Sequence, residues 1–200
     1  MASHGAFQGG VRLARLLPLS PLAMPKPRTI FVLLLILSAL QCAYYYPRVP
    51  ETVASHFNGA GYPNDWSSKA TFFGIVLAMS AMNAFVFLII PEWFPRFSQT
   101  RFNLPNKDYW LAPERIEETH LHIRTQMLWF GVATMMLMIG VTQMAIEANM
   151  TTQPTLSSGA FNLLFAYFGF TAIWLTRFIY YFSRPPAGDG HRSEGDHDTA

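Results

Sequence analysis

Polar and apolar residues are grouped along this chain in long blocks rather than at the short periods of a soluble fold. Four stretches, residues 29–47, 70–91, 125–146 and 160–182, carry no Asp, Glu, Lys or Arg, or carry one only near an end. An α-helix needs about 20 apolar residues to cross a hydrocarbon core about 30 Å thick. Lipid leaves helices and closed barrels as the viable spanning forms, and these blocks lack the alternation of barrel strands. The pattern therefore predicts an all-α integral membrane protein with four transmembrane helices and short structured loops. Residues 29–182 form the expected membrane domain. Residues 1–28, with Gly9, Gly10, Pro18, Pro21, Pro25 and Pro27, are expected to be a flexible lead-in, and the polar segment 183–200 a disordered tail.

Composition strengthens this picture. Hydrophobic residues make up 51% of the 200 positions and charged residues 13%, against roughly a quarter charged in a soluble domain. The few cations are unevenly placed. Arg12, Arg15, Lys26 and Arg28 precede the first block, Arg96, Arg101, Lys107, Arg115 and Arg124 lie between the second and third, and Arg184 and Arg192 follow the fourth. Arg177 is placed to snorkel towards the same face. The other face receives only Arg48 and Lys69. By the positive-inside rule both termini are expected in the cytoplasm of a bacterial inner-membrane protein, with the 47–69 loop outside. The first block is too long for a signal-peptide core and lacks an A-x-A site, so it is expected to remain as a span. Met24, followed by "PKPR", reads as an alternative start site.

Within the spans, Gly74 with Ala78, Ser80 with Ala84, Gly131, and Ala166 with Gly169 are candidate packing faces, because helix contacts in lipid depend on small residues. Asn83, Gln143 and Asn162 are expected to hydrogen-bond between helices. Methionines at 127, 135, 136, 138 and 144 are expected to fill irregular gaps. Tyr44, Tyr45, Tyr46, Trp66, Trp93, Trp110, Tyr180 and Tyr181 fall near predicted boundaries, as an aromatic belt does. The middles of the spans hold no acid, histidine or lysine, which argues against an ion-coupled transporter. The net charge of +2 gives no nucleic-acid surface. Cys42 has no partner cysteine.

The chemistry collects in two loops. In "PETVASHFNGAGYPNDWSSK" the prolines enforce an extended exit from the first helix, one helical turn is expected to end near His56, "NGAG" reverses the chain, and Pro63 to Asp65 make a second turn. Ser67 or Ser68 is placed to cap the next helix. The candidate ligand-binding or loop-locking residues are His56, Asn58, Gly61, Asp65, Trp66 and Lys69. A triad of Ser55, His56 and Asp65 is conceivable, but adjacent Ser and His rarely serve one carbonyl and no G-x-S-x-G elbow exists. No catalytic residue, metal site or cofactor is therefore assigned. The other loop, "FNLPNKDYWLAPERIEETH", offers Asn103, Pro105, Asn106, Lys107, Tyr109 and Trp110 as a candidate surface for a cytoplasmic partner. After it a helix is expected from about Pro113 into the third span, with Glu118 hydrogen-bonded to His122. His120 and His122, two apart, are badly placed to share a metal.

These two segments resemble the membrane domain shared with the Sdp-type antimicrobial-peptide immunity proteins of bacteria. The resemblance runs through "YPRVPETVASHFNGAGYPNDWSSK" and the N-x-P-N-K-x-Y-W pattern, and covers roughly Thr29 to Ile146. Ala54 stands where that family often has proline, and "PNDW" replaces the commoner "PDGW". The resemblance implies protection against a secreted peptide toxin and, in one branch, binding of a cytoplasmic repressor. The resulting expectation is a non-enzymatic protein in the lipid bilayer that recognises a secreted peptide or envelope ligand through residues 47–69, in immunity or signalling. The alternatives are a structural subunit of a membrane complex and a membrane-interface enzyme using His56 and Asp65.

Overall fold

The computed structural model describes residues 26–96 and 104–185. The N-terminal lead-in up to residue 25, the C-terminal tail from residue 186 and Asn103 lie outside the described residues. Helix α1 (Pro27–Tyr45) leads into strands β1 (Thr52–Phe57) and β2 (Pro63–Ser68). Helix α2 (Lys69–Ala84) then continues through a π-helical turn (Phe85–Ile89) and a 3₁₀ segment (Ile90–Arg96). The short α3 (Lys107–Trp110), the long α4 (Ile116–Asn149) and α5 (Ser158–Ser183) follow. The chain is mostly helical. Four of its helices, Pro27–Tyr45, Lys69–Trp93, Ile116–Asn149 and Ser158–Ser183, are long and apolar enough to cross a membrane.

Helix α4 is the centre of the bundle. It packs against α1, α2 and α5. Phe31 of α1 is fully buried against Val132 and Met135 of α4, with Phe87 and Leu88 of the π-helical turn alongside. A Cβ on Gly131 would come within 2.8 Å of both Phe87 and Phe31, so glycine there sets how closely three helices approach. Asn83 donates to the Gly131 carbonyl from α2. Between α1 and α4, Gln41 donates to the Ile139 carbonyl and to Gln143, and Gln143 donates in turn to Tyr45 and Glu147. Ser38 and Ser80 are hydrogen-bonded at 3.1 Å between α1 and α2. Polar groups facing a lipid-embedded interior are costly unless paired, and these pairs fix the helix registers.

Several expectations change. Gly74 and Gly169 have nothing within 4 Å of a would-be Cβ, and Ala78 and Ala166 are exposed, so these small residues face outward rather than forming contacts. Asn162 is likewise exposed on α5. Tyr45 and Trp110 leave the predicted aromatic belt: Tyr45 packs on the core beside Cys42 and Phe73, and Trp110 is buried. Helix α4 starts at Ile116 instead of Pro113, because Arg115 and Ile116 both bond the Ala112 carbonyl and close a turn first. The His122 ring stacks on Tyr181, with ring centroids 4.1 Å apart, and no hydrogen bond to Glu118 is seen among the described residues.

The largest change is the hairpin, since the chain is not all helical. The segment expected to form a helical turn is strand β1, and the second expected turn is strand β2, paired antiparallel. Val53 and Ala54 supply the reason. Both are buried against the helix ends, and an extended backbone lets Val53 join Cys42, Val49, Phe73 and Ile146 while Ala54 turns its peptide groups outward to another partner. Pro63 is tolerated because it opens its strand.

Candidate functional site

The hairpin sits on the end of the bundle formed by the C-terminus of α1, the N-terminus of α2 and the C-terminus of α4. Its turn is built by Asn58. The side-chain oxygen accepts from the Ala60 and Tyr62 amides, while the Asn58 amide donates to the Tyr62 carbonyl and its carbonyl accepts from Gly61. Gly61 has φ +84, the left-handed region that glycine enters without a Cβ clash. A Cβ there would meet the Leu156 carbonyl oxygen at 2.7 Å. The close approach has a purpose, since the Leu156 amide donates to the Gly61 carbonyl at 2.8 Å. The turn is thereby docked on the connection between α4 and α5.

A second clamp holds the body of the hairpin. Asn149, at the end of α4 and 4% exposed, accepts from the Ala54 amide at 2.6 Å and donates to the Ala54 carbonyl at 3.0 Å. It thus occupies the outer edge of β1 as a third strand would. At the hairpin base the Lys69 amide donates to the Glu51 carbonyl, and Lys69 Nζ meets the Glu51 carboxylate at 2.7 Å beside the Tyr46 ring. Ser68 caps α2 by accepting from the Thr71 amide, as its position before the apolar block predicts. Arg48 lies over the Tyr44 ring at 3.7 Å and donates to the Tyr44 carbonyl.

What remains outward is a compact set. His56 and Asp65 face each other across the strands, with Nδ1 to Oδ2 at 3.4 Å and side chains 71% and 66% exposed. Asp65 also accepts from the Trp66 amide. Tyr62 and Trp66 are exposed aromatic rings on the same hairpin. Ser55 Oγ lies 3.3 Å from His56 Nδ1, the same nitrogen that faces Asp65. A hydrolytic triad needs the nucleophile and the carboxylate on opposite ring nitrogens, so this arrangement is no proton relay.

Residues 33–80 match the family described as a domain of unknown function, DUF1648. The match runs from within α1 through the hairpin to α2 and so contains His56, Asn58, Gly61, Asp65, Trp66 and Lys69, whereas Asn149 and Leu156 lie beyond it. No curated protein and no solved structure matches the chain.

The predicted cytoplasmic-loop residues lie at the opposite end of the bundle. Asn106 takes φ +51 and begins α3, and with Trp110 it donates to the Phe182 carbonyl at the end of α5, at 3.2 and 2.8 Å. Thr119 of α4 donates to the Trp110 carbonyl, and Tyr109 sits edge-on to Trp110 under the Arg115 guanidinium. Pro105 and Lys107 are exposed. This segment therefore ties α4 to α5, with a small outward surface. Sequence reasoning missed Asn149, Glu51 and Leu156 as partners of the hairpin, although an Asn three residues past the expected end of the third span was a visible signal. Among the described residues no group of three or more His, Cys, Asp or Glu is placed to hold a metal.

Proposed function

We propose that this is a multi-pass protein of a bacterial inner membrane, with both termini in the cytoplasm, that displays the 47–69 hairpin outside as a recognition surface for a secreted peptide or envelope component. The observation that carries the reading is the division of labour within the hairpin. Asn58, Gly61 and Lys69 are used in holding it, while His56, Tyr62, Asp65 and Trp66 are held rigidly and point outward. A preorganised aromatic and polar set suits binding, because little side-chain and loop entropy is lost on contact. The pairing of Ser55 and Asp65 with one ring nitrogen favours recognition over hydrolysis. The orientation is supported by charge: Arg28, Lys107, Arg115, Arg124, Arg177 and Arg184 belong to the α3 end, and Arg48 and Lys69 to the hairpin end. The resemblance to Sdp-type immunity proteins supports a secreted peptide as the ligand and toxin immunity as the role.

The test is a deletion strain carrying wild type, Y62A/W66A or H56A/D65A and challenged with the secreted peptides of its own producer community. The wild type is expected to protect, and each double variant to lose protection while inserting normally. Equal sensitivity of the deletion strain and the wild type would sink the immunity role. A photo-crosslinker at Tyr62 that captures no envelope or peptide component would sink recognition through the hairpin.

A further inference from the structure

On the outer side of α5, near its C-terminal end, Thr176, Arg177, Tyr180, Tyr181 and Arg184 line a groove of about 530 Å³. No acidic side chain lines it, and among the described residues no carboxylate pairs with either arginine. The contrast with Arg28 and Arg124 is informative, because both of those share Glu92. Arg177 lies in the last turns of α5 and Arg184 is the residue that directly follows it, so the helical path between them brings the two to nearly the same side, about 10 Å apart along the axis. Two long cations so placed can converge on one anionic group from below and above.

The walls are fixed. Tyr181 stacks with both His122 and Trp110, and Arg184 lies 4.6 Å from the Tyr180 ring centroid. The last carbonyls of a helix repel anions. Here the Phe182 carbonyl is covered by donors from Trp110 and Asn106, which lessens that repulsion. Below the groove the same broad face of α5 offers Phe165 and Ile173, both exposed, with open space at Gly169 between them. That is a bed for hydrocarbon leading to a cationic, tyrosine-lined mouth.

We infer that this groove is a specific site for an anionic glycerophospholipid, its phosphodiester held between Arg177 and Arg184 and an acyl chain laid along Ile173 and Phe165. The site does not depend on what the hairpin recognises. It is tested on the full chain incorporated into vesicles of equal phosphatidylglycerol and phosphatidylcholine, then released for native mass spectrometry. Wild type is expected to retain phosphatidylglycerol in preference, and R177Q/R184Q to lower the retained ratio about thirtyfold, the scale of two interfacial cations. R184Q, which leaves the span itself untouched, is expected to give an intermediate ratio. R28Q, removing a cation already paired with Glu92, is expected to leave it unchanged. No preference in wild type, an unaltered ratio in R184Q, or an equal drop in R28Q would each overturn the inference, the last by reducing it to general surface charge.

Discussion

Asn149 illustrates how much one side chain can decide. Its amide serves both peptide groups of Ala54 and, within its own helix, the Ala145 carbonyl. N149A would leave the two buried groups of Ala54 unpaired, each at about 1–3 kcal/mol. The expected loss is about 2–4 kcal/mol in denaturant unfolding in detergent, with faster hydrogen exchange at Ala54. Glycines make a matched pair of predictions. G61A is expected to destabilise by about 1–2 kcal/mol or more, because φ is left-handed and Leu156 blocks the Cβ. G74A, in open space on a helix, is expected to be neutral or stabilising by about 0.5–1 kcal/mol. Thermal unfolding of the two variants side by side checks both. The chemistry of these residues was legible in the sequence, but their partners were not. Asn149 lies 95 positions from Ala54, and nothing local in "EANM" says which backbone it will meet.

At the scale of elements, long apolar runs made the four helices legible, since length against the bilayer fixes them with little competition. The hairpin was not legible for the converse reason. Each strand has six residues, Pro63 and "NGAG" read as turn, and the buried pair Val53 and Ala54 breaks the alternation that marks a half-exposed strand. What stabilises it is tertiary, as expected for two strands that are marginal alone. The α3 segment likewise had a visible motif but an invisible partner. Trp110 reads as an interface anchor until the Phe182 carbonyl appears above its ring nitrogen. W110F keeps most of the aromatic volume and removes that one donor. The expected cost is about 1–3 kcal/mol, seen as earlier unfolding and as faster exchange confined to the last turns of α5 and to α3.

For the molecule as a whole, the ends of the helices sort into two faces. The start of α1, the end of the second span and the start of α4 meet where Glu92 joins Arg28 and Arg124, and the hairpin covers the other end. Exposed positions at each end allow orientation to be measured. With Cys42 buried and shielded, N64C is expected to react with an impermeant thiol reagent outside cells and K107C only after permeabilisation. The reverse pattern would overturn the charge argument for topology. The 34 residues of α4 give it a length of about 51 Å, against a hydrocarbon core of about 30 Å. The rod must therefore tilt or extend beyond the hydrocarbon at one end or both. Asn149 near one end grips the hairpin, and Thr119 near the other grips α3. One continuous helix thus joins the two grips, so any tilt of α4 moves the hairpin and α3 together.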